Sequence, residues 1–232
     1  WAGAIMACAT FLYPNVGAAG LLGLLSGFAV LQLLGSRPAL AYRGFVLYNS
    51  LLVGLFTGYL FKLDAGVALL ICLASGLTLL LNLFLEAALG NLGLPVLSVP
   101  FTLSAMLMAL AGSRFSRLTD ATWYFTEQAP AVFTALPGYL THFLRSLGAC
   151  LCLPDPLFGA VLLFAIAFRS PLMAVFSVVG FSLGCLAEGL SQLAPLNTKD
   201  PHFFNYSLMF PAIAAVFLVP SASSVGLAAA GT

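Results

Sequence analysis

The sequence predicts an all-α polytopic membrane protein of two inverted repeats, each with about five transmembrane helices and with broken, re-entrant pore segments. Three observations predict this class: an apolar composition, a series of long apolar segments and an internal repeat. Hydrophobic residues make up 62% of the 232 residues and charged residues 6%, against about 45–50% and about 25% in soluble domains. Because so few charges cannot cover a soluble globule of this size, lipid is the expected main solvent.

The same composition excludes several classes of function. Eight basic and seven acidic residues leave a net charge of +1, so no nucleic-acid partner is predicted, because phosphate contacts need clustered Lys and Arg. His142 and His202 lie far apart, and the five cysteines lack metal-ligand spacing. We therefore predict no enzyme activity, no metal and no cofactor, and we interpret the cysteines as buried apolar residues.

Ten apolar segments are candidates for helices that cross or enter a bilayer, whose hydrocarbon core needs about 20 residues. Turn residues or charges separate them, as in Ser36-Arg37-Pro38. The predicted segments are 2–13, 17–35, 44–62, 66–88, 101–113, 137–153, 157–169, 172–190, 203–219 and 222 onward.

The longest polar stretch, from about 113 to 137, is the predicted linker between two halves. It gives a first repeat at 1–113, a linker at 114–136 and a second repeat at 137–232. We expect both repeats to be incomplete, the first at its N-terminus and the second at its C-terminus.

An ungapped offset of 156 residues relates the halves, since Tyr48-Asn49-Ser50 recurs as Phe204-Asn205-Tyr206. Duplicated membrane units usually place a transport pathway at their interface, and an odd number of spans per copy makes the second copy inverted. Lys and Arg fall on both sides of the predicted membrane, so the orientation stays open. The offset also pairs Gly3 with Gly159, Ser26 with Ser182, Gln32 with Glu188, Arg43 with Lys199, Leu52 with Leu208 and Phe61 with Phe217.

The segment 93–101 is predicted to be broken, because Pro95 and Pro100 each remove a backbone donor from the helical ladder. Irregular backbone at membrane depth survives where protein buries it or where it lines a polar cavity. Ser98 places a hydroxyl between the two prolines. The segment therefore predicts a pore lining, with a kinked helix or a surface loop as the alternative.

At this segment the sequence resembles the urea transporter family. Leu94-Pro95-x-x-Ser98-x-Pro100-Phe101 is similar to the family signature Leu-Pro-x-x-Thr-x-Pro-Phe, with Ser98 in place of Thr. The stretch from Gly44 to Gly54 is similar to the family's Gly-x-x-Gly-Tyr-Asn-x-x-Leu-x-Gly, with Leu47 in place of the second glycine. The resemblance implies a trimeric, channel-like facilitator of urea, in which each protomer has two inverted halves around its own pore.

The resemblance also implies a second pore segment around 146–156. Ala149 stands where relatives usually carry Gln or Glu, so a side-chain ligand for urea is absent there. The repeat places the counterparts of the two segments before Trp1 and after Thr232, so we expect a piece of a longer protein that lacks the first and last pore segments. The expected pore residues are Leu94, Pro95, Ser98, Pro100, Phe101, Ala149, Cys150, Leu151 and Cys152.

Three further polar residues are predicted to support the pore. Asn49 and Asn205 are interpreted as residues that hydrogen-bond backbone and hold the broken segments, with substrate contact as the alternative. Glu86 lies near the end of an apolar helix, where a functional role and an interfacial or packing role are both open.

The predicted function is facilitated diffusion of urea down its gradient across the plasma (inner) membrane, with urea as permeant and a homotrimer in lipid as the assembly. Backbone carbonyls and the Ser98 hydroxyl would accept urea N–H groups, and Phe101 would flank the flat molecule. One alternative is an ion-coupled secondary transporter that uses Glu86 and Glu188, and the other is a non-transporting scaffold.

Overall fold

The computed structural model describes residues 2–35, 40–92, 96–112, 136–191 and 204–231. Every regular element in these ranges is a helix, as the composition predicts. In chain order the helices are α1 (Ala2–Thr10), α2 (Pro14–Leu33), α3 (Leu40–Leu60), α4 (Ala65–Gly90), α5 (Val99–Gly112), α6 (Gly138–Ala149), α7 (Pro156–Arg169), α8 (Pro171–Ser191), α9 (Phe204–Pro211, continued by a π-helical segment, Ala212–Phe217) and α10 (Ala222–Gly231).

Two of these helices, α2 and α4, are long and apolar enough to cross a bilayer, with mean hydropathies of 1.9 and 2.4. Helix α2 starts at a proline, which is favourable in the first helical turn. Helix α4 starts after Asp64, whose carboxylate accepts a hydrogen bond from the Val67 N–H at 2.7 Å. Helices α3 and α8 have 21 residues each, but their described apolar stretches, Val46–Leu60 and Pro171–Ala187, are shorter. The remaining apolar helices are shorter than α2. A helix of 14 residues, such as α5 or α7, spans about 21 Å, less than the roughly 30 Å hydrocarbon core.

The chain divides into two compact units. The first unit is residues 10–126 and contains α2, α3, α4 and α5. The second unit joins residues 1–9 to residues 127–232, so most of α1 packs with α6 to α10. The repeat boundaries at 113 and 137 describe a proposed duplication rather than these packed units, and they stay a prediction.

In the first unit, small residues bring α2 and α3 into backbone contact. A Cβ atom built on Gly23 would lie 2.6 Å from the Ser50 carbonyl oxygen, and one built on Gly58 would lie 3.1 Å from the Val16 Cα. Membrane helices associate through such close packing because lipid offers little hydrophobic drive between them. The same helices bury Val16, Ala19 and Leu31 of α2 and Val46, Leu52, Val53 and Leu55 of α3.

Buried hydroxyls add polar ties between the helices of this unit. Ser50 of α3 and Ser75 of α4 bond each other's carbonyl oxygens reciprocally, at 3.2 and 3.4 Å. The Thr78 hydroxyl donates to Ser104 Oγ at 2.6 Å and so ties α4 to α5. These bonds satisfy side chains that would otherwise be costly in an apolar core.

Asn15, in the first turn of α2, holds the end of α3. Its Nδ2 donates to the carbonyls of Gly58 and of Phe61, the latter at 3.0 Å, while its Oδ1 accepts from the Leu63 N–H at 2.8 Å. One side chain therefore satisfies three backbone groups where α3 gives way to the turn before α4.

The second unit is built around aromatic side chains. Phe143 of α6 and Phe181 of α8 lie 5.4 Å apart between ring centroids and form a buried cluster with Leu147 and Leu162. Met6 of α1 packs against this cluster. A second cluster joins Phe210, Ala214 and Ala228, with the Phe176 ring 5.6 Å from that of Phe210.

Helix α10 follows the π-helical segment through a serine turn. Ser221 and Ser224 exchange hydrogen bonds, with the Ser221 N–H donating to Ser224 Oγ at 2.9 Å and the Ser224 N–H to Ser221 Oγ at 3.1 Å. This reciprocal pattern caps the first turn of a helix. Phe217, at the end of the π segment, is 51% exposed, whereas Phe61, its partner in the proposed repeat, is 6% exposed.

Candidate functional site

The broken segment lies between α4 and α5. Within its described part, residues 96–101, the backbone turns at Leu97 with φ of 51° and enters α5 at Val99. The Ser98 carbonyl accepts the first helical bond from the Thr102 N–H at 2.9 Å, which makes Ser98 the residue that precedes α5. Leu94 and Pro95, two of the predicted pore residues, lie outside the described residues.

The three predicted pore residues that are described here differ in burial. Pro100 is buried, Phe101 is half-buried and Ser98 is exposed. Ser98 makes no side-chain hydrogen bond among the described residues. The Phe101 ring packs edge-to-face on Phe56 of α3 at 6.1 Å between centroids, an arrangement that aromatic pairs favour.

Asn49 of α3 contacts the broken segment directly. Its Nδ2 donates to the Leu97 carbonyl oxygen at 3.0 Å and to Asn82 Oδ1 of α4 at 2.8 Å. Both asparagines are buried, with exposed fractions of 1% and 4%. Asn49 Oδ1 is also buried and has no partner among the described residues. The amide thus joins α3, α4 and the turn that precedes α5.

The other predicted pore segment follows α6 in the second unit. Ala149 ends the helix, and Cys150, Leu151 and Cys152 form a turn in which their N–H groups bond the carbonyls of residues 147–149 at 2.9–3.1 Å. Cys152 has φ of 61°. All four residues are half-buried.

Gly148 makes this turn possible. A Cβ atom built there would collide with the Leu153 carbonyl oxygen, and the Leu153 N–H bonds the Gly148 carbonyl at 3.1 Å. The chain then enters α7, whose first turn is capped by Asp155 through a 3.0 Å bond from the Phe158 N–H.

The remaining predicted residues are Glu86, Asn205 and Glu188. Glu86 is half-buried one turn beyond Asn82 on α4, and it makes no hydrogen bond or ion pair among the described residues. The side chains of Asn205 and Glu188 lie outside the described residues. No group of three or more His, Cys, Asp or Glu side chains that could hold a metal ion is found in the part of the chain that the structure describes.

Three residues at these sites were not predicted. Phe56 packs on Phe101, Asn82 accepts from Asn49, and Arg145, on α6, has a buried Nε without a partner in the described ranges. Asn82 was visible as an amide inside an apolar helix. Phe56 carried no sequence signal, because one phenylalanine among 20 is ordinary in such a chain.

Comparison with known proteins assigns the chain. The family model described as "UT: Urea transporter" matches residues 1–232, the whole of the sequence. No curated protein matches the chain significantly. The match over the whole chain, on a helical structure with apolar helices long enough to span a bilayer, agrees with the signature-like segment at 94–101. The chain therefore belongs to the urea transporter family.

Proposed function

We propose that the protein conducts urea passively across the plasma membrane, along a path that passes the broken segment at residues 96–101. The observation that carries the proposal is the exposed Ser98 at the start of α5, beside an aromatic pair and without a side-chain hydrogen bond in the described ranges, in a chain of the urea transporter family. Neither this segment nor the turn at residues 149–153 offers an acid–base pair or a nucleophile beside a base, and passive conduction requires none.

The chemistry of urea fits this surface. Urea is flat and neutral, with one carbonyl acceptor and four N–H donors, and losing its water costs several kcal/mol unless those groups find partners. The Ser98 hydroxyl can accept from a urea N–H or donate to the urea carbonyl. The half-buried Phe101 ring, braced by Phe56, offers a flat apolar wall. Weak contacts of this kind let a solute enter and leave quickly.

We further propose two inverted repeats and a homotrimer. Support for the repeats comes from helix starts and glycines: α2 starts at Pro14 and carries Gly23 and Gly27, and α8 starts at Pro171 and carries Gly180 and Gly184. The short helices α5 and α6, which adjoin the two turns, support re-entrant pore segments. The homotrimer rests on the family alone.

An ion-coupled transporter is the second class of function. It would need a carboxylate in the membrane, and Glu86 of α4 is half-buried without an ion pair among the described residues. Replacing Glu86 with Gln separates the two classes, because a channel keeps urea flux that ignores proton and sodium gradients. Gradient-driven accumulation that is lost in the variant would favour the coupled transporter.

Ser98 provides the direct test of the path. In proteoliposomes followed by light scattering, Ser98→Thr keeps the hydroxyl and should retain urea flux. Ser98→Val has nearly the size of Thr but no hydroxyl. Losing a neutral hydrogen bond costs about 0.5–1.5 kcal/mol, so the Val variant should conduct a few-fold to about tenfold more slowly.

The control is Ser223→Val, which removes an exposed hydroxyl at the start of α10 and should leave flux unchanged. Equal flux through the parent, Ser98→Thr and Ser98→Val would remove Ser98 from the path. Absence of urea flux in the parent would contradict the proposed function itself.

A further inference from the structure

Leu97 adopts a backbone conformation that disfavours leucine. Its φ of 51° lies in the left-handed region, and Leu97 and Cys152 are the two non-glycine residues with positive φ in the described ranges. For a residue with a Cβ atom this conformation is disfavoured by about five- to thirtyfold in population. Such conformations persist where the surroundings hold them, and they cluster at functional sites.

Packing of the Leu97 side chain does not hold this turn. The side chain is 59% exposed, so it buries too little surface to select one backbone conformation. The backbone bond from the Val99 N–H to the Val96 carbonyl is 3.3 Å long, at the weak end of the range for such bonds. A side-chain group of α3 also bonds this turn.

The Asn49 amide is that group. Its Nδ2 donates to the Leu97 carbonyl oxygen at 3.0 Å, and its second proton fixes it to Asn82 on the next helix at 2.8 Å. Asn49 is 1% exposed, so water does not compete for these bonds. The bonded carbonyl belongs to the peptide that joins Leu97 to Ser98, and its orientation therefore sets the position of the Ser98 backbone.

The free-energy cost of burying the Asn49 amide also supports a role for its two donated bonds. Its Oδ1 is buried without a partner among the described residues, and a stranded acceptor in an apolar core is unfavourable. An amide that only filled the core would be replaced by an apolar residue without loss. The two donated bonds are what this amide supplies.

We infer that Asn49 is a positioning residue that holds the strained turn at Leu97 and thereby keeps Ser98 at the urea path. The transport part of this inference rests on the proposed function. Glycine adopts the left-handed conformation without strain. The amide should therefore matter much less when residue 97 is glycine, and this dependence is the specific consequence of the inference.

A double-variant cycle tests this dependence. Asn49→Leu keeps the approximate volume and removes both donors, and it should lower urea flux by about fivefold or more in the parent. In a Leu97→Gly background the same substitution should lower flux by less than about twofold. The matched control is a Cys152→Gly background, which relaxes the other left-handed residue and should leave the full loss. Equal losses in all three backgrounds would overturn the inference.

Hydrogen exchange gives a readout that does not depend on urea. In the peptide covering 96–104, Asn49→Leu should speed exchange of the Thr102 amide, which bonds the Ser98 carbonyl, in the parent and not in the Leu97→Gly background. If the parent protein conducts no urea, the proposed function fails while this exchange cycle still decides the role of Asn49. Unchanged exchange in the parent would refute that role.

Asn49→Ala removes the same donors without bulk and replaces Asn49→Leu if the leucine variant does not fold. If neither variant folds even in the glycine background, the inference is also wrong, because glycine removes the need for the amide. Asn82→Leu separates general stability from positioning. It removes the second bond of Asn49 and leaves the bond to Leu97, so it should lower thermal stability and change flux by less than about twofold.

Discussion

In the α2–α3 pair a Cβ atom on Gly23 would lie 2.6 Å from the Ser50 carbonyl oxygen and 3.0 Å from the Gly54 Cα, so the two backbones touch. In the α8–α9 pair a Cβ atom on Gly180 would lie 2.5 Å from both the Tyr206 carbonyl oxygen and the Phe210 Cβ, and one on Gly184 would meet the Tyr206 ring. Small residues therefore line both helices of the first pair. In the second pair glycine lies on one helix and aromatic side chains on the other.

This difference shows that two helices can pack closely in two ways. At Gly23 and Gly54 of the first pair, the atoms nearest to a built Cβ are backbone atoms of the facing helix, which cannot move aside. At Gly184 of the second pair, the nearest atoms belong to the Tyr206 side chain, which fills the space that the glycine leaves. Van der Waals packing stabilises both arrangements in lipid, but they should respond oppositely to changes of volume.

The same comparison bears on the proposed repeat, whose ungapped offset of 156 stays a prediction. Ser50 and Gly54 of α3 correspond to Tyr206 and Phe210 of α9 at 156, but the facing glycines, and the prolines that start α2 and α8, are 157 apart. The capping residues Asp64 and Ser221 are also 157 apart. In the proposed repeat, the π-helical segment Ala212–Phe217 would hold the residue that this last spacing adds, because a π turn accommodates one extra residue.

The largest expected effect is in the aromatic pair. Phe210 is 1% exposed and packs on Phe176, Ala214 and Ala228. Phe210→Ala should lower the free energy of unfolding by about 3–5 kcal/mol, because it removes the residue that fills this contact. Denaturation in detergent micelles would measure the loss. Phe164→Ala is the control: Phe164 is 63% exposed, and its loss should cost much less. Similar losses in both variants would contradict the filled contact.

The next effect is in the glycine pair. A Cβ atom on Gly54 would collide with the Ala19 carbonyl oxygen and lie 2.9 Å from the Gly20 Cα. Gly54→Ala should therefore destabilise the protein by about 1–3 kcal/mol. Gly76→Ala on α4 is the matched control, since its Cβ would meet Val30 at an ordinary 3.4 Å. It should be neutral, or more stable by up to about 1 kcal/mol.

Gly184 of the second pair provides a more direct test of this comparison. The atoms nearest to a Cβ on Gly184 belong to the Tyr206 side chain, not to backbone. Tyr206→Ser introduces the residue found at the corresponding position 50, and it should relieve most of the cost of Gly184→Ala. A double variant as unstable as the sum of the two single variants would show that the Tyr206 side chain does not limit the space at Gly184.

The smallest effect is in the polar tie of the first unit. Ser50→Ala removes one of the two reciprocal bonds to Ser75. Hydrogen bonds between membrane helices average about 0.6 kcal/mol, so the unfolding free energy should fall by roughly that amount. Ser50→Ala and Ser75→Ala should each have a similar effect, and the double variant should lose less than twice as much. A loss as large as that of Gly54→Ala would give hydrogen bonding the leading role in this contact.

Hydropathy was enough to predict most of the helices. The predicted segment 66–88 and α4 (Ala65–Gly90) nearly coincide, because a long apolar run bounded by Asp64 and by Asn91-Leu92 has clear ends. Two prolines likewise predicted that residues 93–101 would not continue as one regular helix, and α5 begins at Val99. These features depend on neighbours along the chain, which periodicity and breaker residues describe well.

The partners in the candidate site were harder to predict than the kind of contact. The sequence analysis interpreted Asn49 as a residue that hydrogen-bonds backbone and holds a broken segment, but Leu97, 48 residues further along, could not be identified as its partner. The left-handed conformation of Leu97 was also hidden, because leucine is not a residue that turn statistics place there. The π-helical segment Ala212–Phe217 was hidden as well, since a π turn has no sequence signature of its own.

The hydrogen bonds of Asn15 constrain when α2 can enter the membrane during synthesis. Its backbone partners lie 43 to 48 residues further along the chain, at Gly58, Phe61 and Leu63. At about 5–20 residues per second, Asn15 is synthesised roughly 2–10 s before those groups exist. An amide without partners is costly in hydrocarbon. Asn15 should therefore keep the start of α2 near water until the turn before α4 is made, so that α2 and α3 settle into lipid as a pair.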